Sequence, residues 1–299
     1  MWLKNLVLYR AAEGCFSDAD ALNDKLAEET LQPCGGYQME SRGWVAPHDE
    51  GRYVHQLQKH WLIALGDEQK ILPATIIRQQ AEEKARVVEQ QQGRPVGRKQ
   101  MREIRDQITS ELMPRALARR RTTHAWIDAV NHLLAVDTGA GTKAELFMEA
   151  LRRSDDDLKA GRIDTQRSPA AAMAEWLVKG DAPGAFGIDQ DLELRAADAS
   201  KATVRYARHS LEGREIRDHI SAGKTVVKLG LTWNDRISFV LTEELQLKRL
   251  QFLDILRRES DSEAGDEAER FDNDFALMTG ELALLIRDLL KALGGEKDD

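Results

Sequence analysis

The sequence predicts an α+β fold with antiparallel sheets, a projecting helical hairpin and a long C-terminal helix. Short stretches in which apolar and polar residues alternate, the clearest at 225–233, predict strands. Residues 73–113 carry two narrow apolar stripes at helical spacing in otherwise polar sequence, which indicates a helical hairpin outside the main core. Residues 267–293 show one long, strongly apolar helical pattern.

Composition indicates a folded protein of the cell interior. Of the 299 residues, 42% are hydrophobic and 31% charged, which excludes a disordered chain and leaves room for a sizeable core. No apolar run reaches the roughly eighteen residues of a membrane span, and the first residues lack a signal-peptide pattern. We therefore expect a cytoplasmic protein without membrane contact. Cys15 and Cys34 favour reduced thiols, with a lone bridge or a redox pair as the alternatives.

Residues 1–72 and 114–180 are expected to form a central α+β region. Ser17 caps a predicted helix that reaches about Thr30, and a turn follows at 33–36. Thr142 and Glu145 match a capping box for a helix to about 153, and a further helix is expected around 172–179. The predicted strands of this region are 2–10, 37–46, 60–66, 115–121, 124–130 and 132–137.

The hairpin of residues 73–113 begins with Pro73, which suits the first turn of a helix. Gly93 to Gly97 break the pattern, and Pro114 ends the second helix. The stripe of the first helix is Ile77, Ala81, Lys84 or Ala85, and Val88; that of the second is Met101, Ile104, Ile108 and Leu112.

Residues 181–299 are expected to form a second α+β region that ends in the long helix. Strands at 192–196 and 202–208 precede a helix at 212–222. The strand 225–233 pairs with 237–241, and matching their apolar faces requires a three-residue turn at 234–236. A short helix is expected after Lys248 and Arg249, before the final helix at 267–293.

The net charge of −8 is unevenly distributed. Residues 259–274 contain eight acidic residues against one basic, whereas residues 94–121 contain nine basic residues against three acidic. A polyanion responds to the local field, so an acidic protein can still present one basic surface. The alternative is that these charge runs are ordinary solvated faces.

Several motifs imitate catalytic or metal sites without their required spacing. Asp137-Thr138-Gly139 occurs once, whereas an aspartic protease needs two such carboxylates. The glycines at 139 and 141 lack P-loop spacing, and Asp155 to Asp157 are adjacent, so their side chains diverge. His55 and His60 lie five residues apart and are predicted to face opposite sides of a strand. We therefore expect no enzyme, no metal and no cofactor.

Basic residues spread over several elements favour a DNA-binding surface without a recognition helix. No helix-turn-helix, zinc finger or aromatic RNA-binding pattern is present, so binding without sequence preference is expected. Each residue alone is compatible with an ordinary surface charge. The candidates are Arg98, Lys99, Arg102, Arg115, Arg119, Arg121, Arg208, Lys224, Lys228, Arg236, Lys248 and Arg249. Lys224 and Lys228 are predicted to share one face of their strand.

Over nearly its full length the chain resembles the recombination-associated RdgC family. The stretches that carry the resemblance are rich in Trp, Pro and Gly. They are Trp2-Leu3-Lys4-Asn5-Leu6 with Tyr9-Arg10, Pro33-Cys34-Gly35, Gly43-Trp44-Val45, Lys70-Ile71-Leu72-Pro73, Leu112-Met113-Pro114-Arg115-Ala116, Trp126-Ile127-Asp128 with Val130-Asn131, Ala222-Gly223-Lys224, Leu247-Lys248-Arg249-Leu250, Arg270-Phe271-Asp272 and Leu277-Met278-Thr279-Gly280-Glu281-Leu282.

The resemblance implies a ring-shaped homodimer that encircles double-stranded DNA and restrains the RecA recombinase at the nucleoid. It leaves open whether the protein also binds single-stranded DNA. It favours Arg115, Arg119, Lys224, Lys228, Lys248 and Arg249 as residues of the hole. The hairpin and the C-terminal region are then candidates for closing the ring. Arg120 occupies a position that we associate with an aromatic residue in relatives, which implies a different or weaker closure if it lies at a ring contact.

Two alternatives to a non-enzymatic DNA-binding protein remain. A metal-dependent nuclease predicts acidic residues that converge in a cleft. A scaffold that binds the recombinase directly predicts that inhibition of the recombinase does not depend on DNA concentration. Sequestration of DNA predicts instead that excess duplex relieves this inhibition.

Overall fold

The computed structural model describes residues 2–48, 51–253 and 266–297, which form twelve strands and seven α-helices. The strands are β1 (Leu6–Ala11), β2 (Glu40–Val45), β3 (Val54–Leu57), β4 (His60–Lys70), β5 (Ala118–Asp128), β6 (Leu133–Asp137), β7 (Ala160–Arg162), β8 (Phe186–Ala196), β9 (Thr203–Tyr206), β10 (Lys224–Trp233), β11 (Ile237–Thr242) and β12 (Gln246–Phe252). The helices are α1 (Ala19–Glu28), α2 (Ala74–Gln92), α3 (Arg98–Leu112), α4 (Gly141–Ser154), α5 (Pro169–Lys179), α6 (Arg214–Ser221) and α7 (Glu267–Ala292). The predicted α+β class and the long C-terminal helix are confirmed.

All twelve strands belong to one antiparallel sheet, where the sequence predicted several. The order is β2-β4-β5-β6-β1-β12-β11-β10-β8-β9, with β3 beside the start of β4 and β7 beside the end of β1. The two halves join where Leu6 of β1 pairs with Leu247 of β12. Local alternation identifies strands but carries no signal for a pairing between residues so distant in sequence, which is why this union was missed.

Each side of the sheet has its own helical cover. In β1, Val7 and Tyr9 point into a core with α1 and α4, and we call this side the α4 face. Leu6 and Leu8 point into a larger core with α5, α6 and α7, on the α7 face. Within the described ranges, no residue of β8–β12 joins the core under α1 and α4. No helix among residues 2–48, 51–253 and 266–297 therefore covers the α4 face of those strands, and we call this surface the open face.

The helical hairpin is confirmed, with the predicted stripes at its centre. Ala81 and Ala85 of α2 pack on Ile104 and Ile108 of α3 in a small core of their own. Gly93 ends α2 in the left-handed conformation, with φ of 65°. The hairpin leaves the sheet between β4 and β5, where the Ile71 N–H donates to the Leu117 carbonyl at 2.8 Å.

Several predicted boundaries are corrected by tertiary contacts. The strands predicted at 115–121 and 124–130 are the single strand β5, because two threonines between them continue the strand instead of turning it. β3 was missed, and β12 continues to Phe252, where a short helix was predicted after Lys248 and Arg249. The remainder of that predicted helix and much of the acidic segment fall at 254–265, outside the described residues.

Both predicted N-terminal caps differ in the structure. Asp18, and not Ser17, accepts from the first backbone N–H groups of α1. The capping box at α4 is wrong, because Ala140 occupies the cap position. Glu145 instead accepts a 2.9 Å hydrogen bond from the Tyr9 hydroxyl, which links α4 to the central strand. Burial and this acidic acceptor raise the pKa of Tyr9.

Trp126 and His60 create a pH-sensitive contact inside the α7 face. The Trp126 Nε1–H donates to His60 Nδ1 at 3.2 Å, which requires that nitrogen to be unprotonated. Burial lowers the pKa of His60. As pH falls through the ordinary histidine pKa, the unfolded chain therefore binds protons that the folded chain rejects, and stability decreases.

We expect the free energy of unfolding to fall between about pH 7 and pH 5, and to fall less in His60→Gln. Glutamine keeps an acceptor but does not titrate. Urea denaturation at several pH values checks this. His124, whose pKa burial also lowers, accounts for part of the remaining slope. An identical pH dependence in the variant and the parent contradicts the assignment to His60.

Candidate nucleic-acid interface

The structure distributes the predicted DNA-binding residues over the hairpin and both faces of the sheet. Arg98, Lys99 and Arg102 lie exposed on α3, and Arg115 lies in the turn that follows it. Arg119 and Arg121 lie exposed on β5, on the α4 face. Their side follows from the alternation, because Ala125 and Ile127 further along β5 point into the core under α4.

The open face holds the densest group of predicted residues. Val7 on the α4 face pairs with Gln246, so Lys248 two residues later lies on the same side. Lys248 and Val240 pair across β12 and β11. Together with Lys228 and Arg249 they border a cavity of about 210 Å³. Arg208 follows β9 nearby, and its N–H donates to the Asp191 carboxylate at 3.3 Å.

Acidic residues of β8 neutralise part of this surface. Lys228 Nζ lies 2.8 Å from Glu193, and Arg249 Nη2 lies 2.7 Å from Asp191. Arg195 and Glu243 form a third pair. Lys248 and Arg205, which also border the cavity, have no carboxylate partner within the ranges described. Among the described residues, this surface therefore presents two cations without a carboxylate partner, and several paired cations that an incoming phosphate can recruit.

Three carboxylates alternate along β8 and share the open face, an arrangement that the sequence reasoning missed. Both Asp189 oxygens accept from the Thr232 hydroxyl at 2.9 Å, while Asp191 and Glu193 face the cations described above. Burial raises the pKa of Asp189, and the nearby Asp191 adds to the effect. The spacing of two residues was the available signal. Among the described residues, no three His, Cys, Asp or Glu side chains are grouped closely enough to hold a metal ion.

A bulge in β10 separates two residues that were predicted to share a face. Val226 pairs with Leu194 and Lys228 pairs with Glu193, so Val227 is an extra residue on the β10 side. The prediction for Lys224 and Lys228 is therefore wrong in geometry. Lys228 faces the open face, whereas Lys224 lies on the α7 face, where its Nζ is 2.8 Å from His219 Nδ1 of α6.

Arg236 and Arg120 also point away from the α4 face. The predicted three-residue turn is confirmed, because Trp233 pairs with Ile237. From this turn Arg236 reaches Glu281 of α7 at 3.0 Å and helps to hold that helix. Arg120 pairs with Glu68 on the neighbouring strand. Glu68 also accepts from the Cys34 N–H at 2.7 Å, so Arg120 closes a network at the base of the hairpin.

The histidine geometry differs from its prediction. His55 and His60 lie on adjacent strands of a tight hairpin, β3 and β4, and both face α7. His55 Nε2 lies 3.0 Å from Asp272 of that helix, while His60 accepts from Trp126. They were predicted to face opposite sides because the turn between them was not recognised. Cys15 and Cys34 are free thiols.

Comparison with known proteins agrees with the resemblance. A family model described as "Putative exonuclease, RdgC" matches residues 1–296. Three similar proteins are each called "Recombination-associated protein RdgC". The one from Dechloromonas aromatica (strain RCB) is 48% identical, over 99% of this chain and 98% of its own. Those from Janthinobacterium sp. (strain Marseille) and Herminiimonas arsenicoxydans are 47% and 45% identical, over 99% of both chains in each case.

None of the described helices is both long and apolar enough to cross a bilayer. The family match covers both halves of the sheet and the hairpin between β4 and β5. This chain belongs to the RdgC family of recombination-associated proteins.

Proposed function

We propose that this chain binds DNA without sequence preference, as a ring-shaped homodimer that encircles the duplex and restrains RecA-mediated recombination. The name of its relatives connects the family with recombination. We further propose that it acts at the nucleoid in the cytoplasm, and that it has no catalytic activity.

One observation carries the proposal: cations from distant parts of the chain share one face of a continuous sheet. Arg119 and Arg121 on β5 lie on the same side as Lys228, Lys248 and Arg249 on the other half. Lys and Arg spread over the surface of a sheet favour contacts to phosphates. Such contacts bind any duplex sequence.

A salt titration of duplex binding tests this. We expect wild-type protein to bind unrelated duplexes with similar affinity and to lose affinity steeply as salt rises. In Lys228→Ala/Lys248→Ala the slope of log affinity against log salt should be shallower by about two, since each phosphate contact contributes about 0.9. Fluorescence anisotropy at several salt concentrations measures the slope.

Lys224→Ala is the matched control, because Lys224 lies on the same strand as Lys228 but on the α7 face. Its slope should equal that of the wild type. Equal slopes in all three proteins, or tight binding to one sequence alone, contradict the proposed surface.

The description of the family model as a putative exonuclease makes nuclease activity the alternative. On the open face Asp191 and Glu193 face cations and Asp189 accepts from a hydroxyl, which leaves these carboxylates poorly placed to share a metal. The binding reactions are therefore repeated with magnesium or manganese. Shortening of labelled duplex ends contradicts the non-enzymatic proposal, whereas intact DNA supports it.

A further inference from the structure

A second basic site lies on the α4 face, on the first half of the sheet, and neither Arg42 nor Lys143 was among the predicted DNA-binding residues. Asp67 of β4 pairs with Arg42 of β2 on one side and with Arg121 of β5 on the other. Three neighbouring strands therefore place one guanidinium group on each side of a single carboxylate. Lys143, in the first turn of α4, lies above this row. We call these four residues the notch.

The notch borders a small cavity of about 70 Å³ that is open to solvent. Leu65, Thr123 and Phe147 complete its lining. The strands and α4 are packed through Phe147 and Leu65, so the charged side chains extend from rigid elements.

The charges in the notch do not cancel. Three cations face one carboxylate, and the Arg42–Asp67 contact is loose, at 3.5 Å. Asp67 Oδ1 is buried without a hydrogen bond. Within the described part of the chain, Arg121 and Lys143 have no carboxylate partner, so their donors are available. A guanidinium group presents several N–H donors in a planar fork, which matches phosphate oxygens.

The notch and the open face lie on either side of the start of α4. A methyl group added at Gly141 would lie 3.5 Å from the Gln246 amide nitrogen, so this turn borders β12. Two residues later, Lys143 borders the notch. Both basic sites therefore belong to one side of one sheet and lie next to the same end of α4.

We propose that the notch holds a backbone phosphate of duplex DNA and extends the contact from the open face towards the base of the hairpin. This inference rests on the proposed function, because it assigns further contacts to the same ligand. Asp67 then lowers affinity: it partly neutralises Arg42 and Arg121 and repels the phosphate.

Two variants with opposite expected effects test the notch. Arg121→Ala/Lys143→Ala should make the salt slope shallower by about two, at about 0.9 for each lost contact. Asp67→Asn, which keeps the shape and removes the negative charge, should increase affinity at every salt concentration. The control is Arg217→Ala/Lys291→Ala, which removes two exposed cations from α6 and α7 on the other side of the sheet. Its slope should equal that of wild type, and melting curves establish that each variant is folded.

The outcomes separate the notch from the proposed function. A wild-type slope in Arg121→Ala/Lys143→Ala, with a reduced slope in Lys228→Ala/Lys248→Ala, overturns the notch and leaves the open face intact. Absence of DNA binding by wild type overturns both. A site for free phosphate alone is recognised by a separate measurement. Inorganic phosphate then raises the melting temperature of wild type but not of Arg121→Ala/Lys143→Ala, while the salt slope of DNA binding is the same in both proteins. That result also overturns the notch as a DNA contact.

Discussion

Replacing Phe147 with alanine is expected to lower the free energy of unfolding by about 3–5 kcal/mol, the usual cost of removing a buried aromatic ring. Phe147 is fully buried, and its ring meets Trp44 edge-on, with centroids 5.4 Å apart and planes at 86°. It joins α4 to β2 at the floor of the notch. Truncation therefore removes buried apolar area and an aromatic pair, and leaves a cavity.

Urea denaturation followed by tryptophan fluorescence measures this change. Leu146→Ala provides the control, because Leu146 is the preceding residue of the same helix but is 39% exposed. Its loss should be below that of Phe147→Ala, since 39% of the Leu146 surface stays in contact with water after folding, whereas Phe147 is fully buried. Equal losses in the two variants are inconsistent with the packing of α4 described above.

Removal of the helical hairpin is expected to preserve the sheet but abolish retention on closed circular DNA. The two ends of the hairpin are adjacent, because Lys70 pairs with Ala118 and Ile71 bonds to Leu117. A four-residue Gly/Ser linker can therefore replace residues 74–112. The hairpin has its own core, separate from both cores of the sheet, so the rest should fold without it.

The functional loss follows from the proposed ring. A closed ring holds circular DNA topologically, and salt that disrupts phosphate contacts releases it only when the ring opens. Retention of wild type on circular plasmid after a high-salt wash should exceed retention on the linearised plasmid by on the order of 10²-fold, in line with the gain from tethering. The shortened protein should be washed from both forms equally.

Sedimentation of the shortened protein and its melting curve are the controls. Equal retention of wild type on circular and linear plasmid contradicts the ring. A variant without the hairpin that still remains on circular plasmid contradicts the role of the hairpin in closing it, and moves that role to the C-terminal region.

The sequence by itself determined those features that depend on neighbouring residues. The stripes of α2 and α3, the break that begins at Gly93, the three-residue turn before Ile237 and the long apolar α7 all follow from period, turn chemistry and local burial. The motifs that carry the family resemblance are equally local, and the family match spans the chain.

Tertiary structure alone decided which cations share a surface. The bulge at Val227 places Lys224 and Lys228 on opposite faces. Its neighbours Val226 and Lys228 are ordinary strand residues, so the local sequence does not predict a bulge there. Arg236 is drawn to Glu281, a partner 45 positions along the chain. The row of Arg42, Asp67 and Arg121 exists because three strands from separate stretches pair in one register. Side-chain alternation predicts the face of a residue relative to its neighbours in the strand, whereas long-range pairing decides what stands beside it.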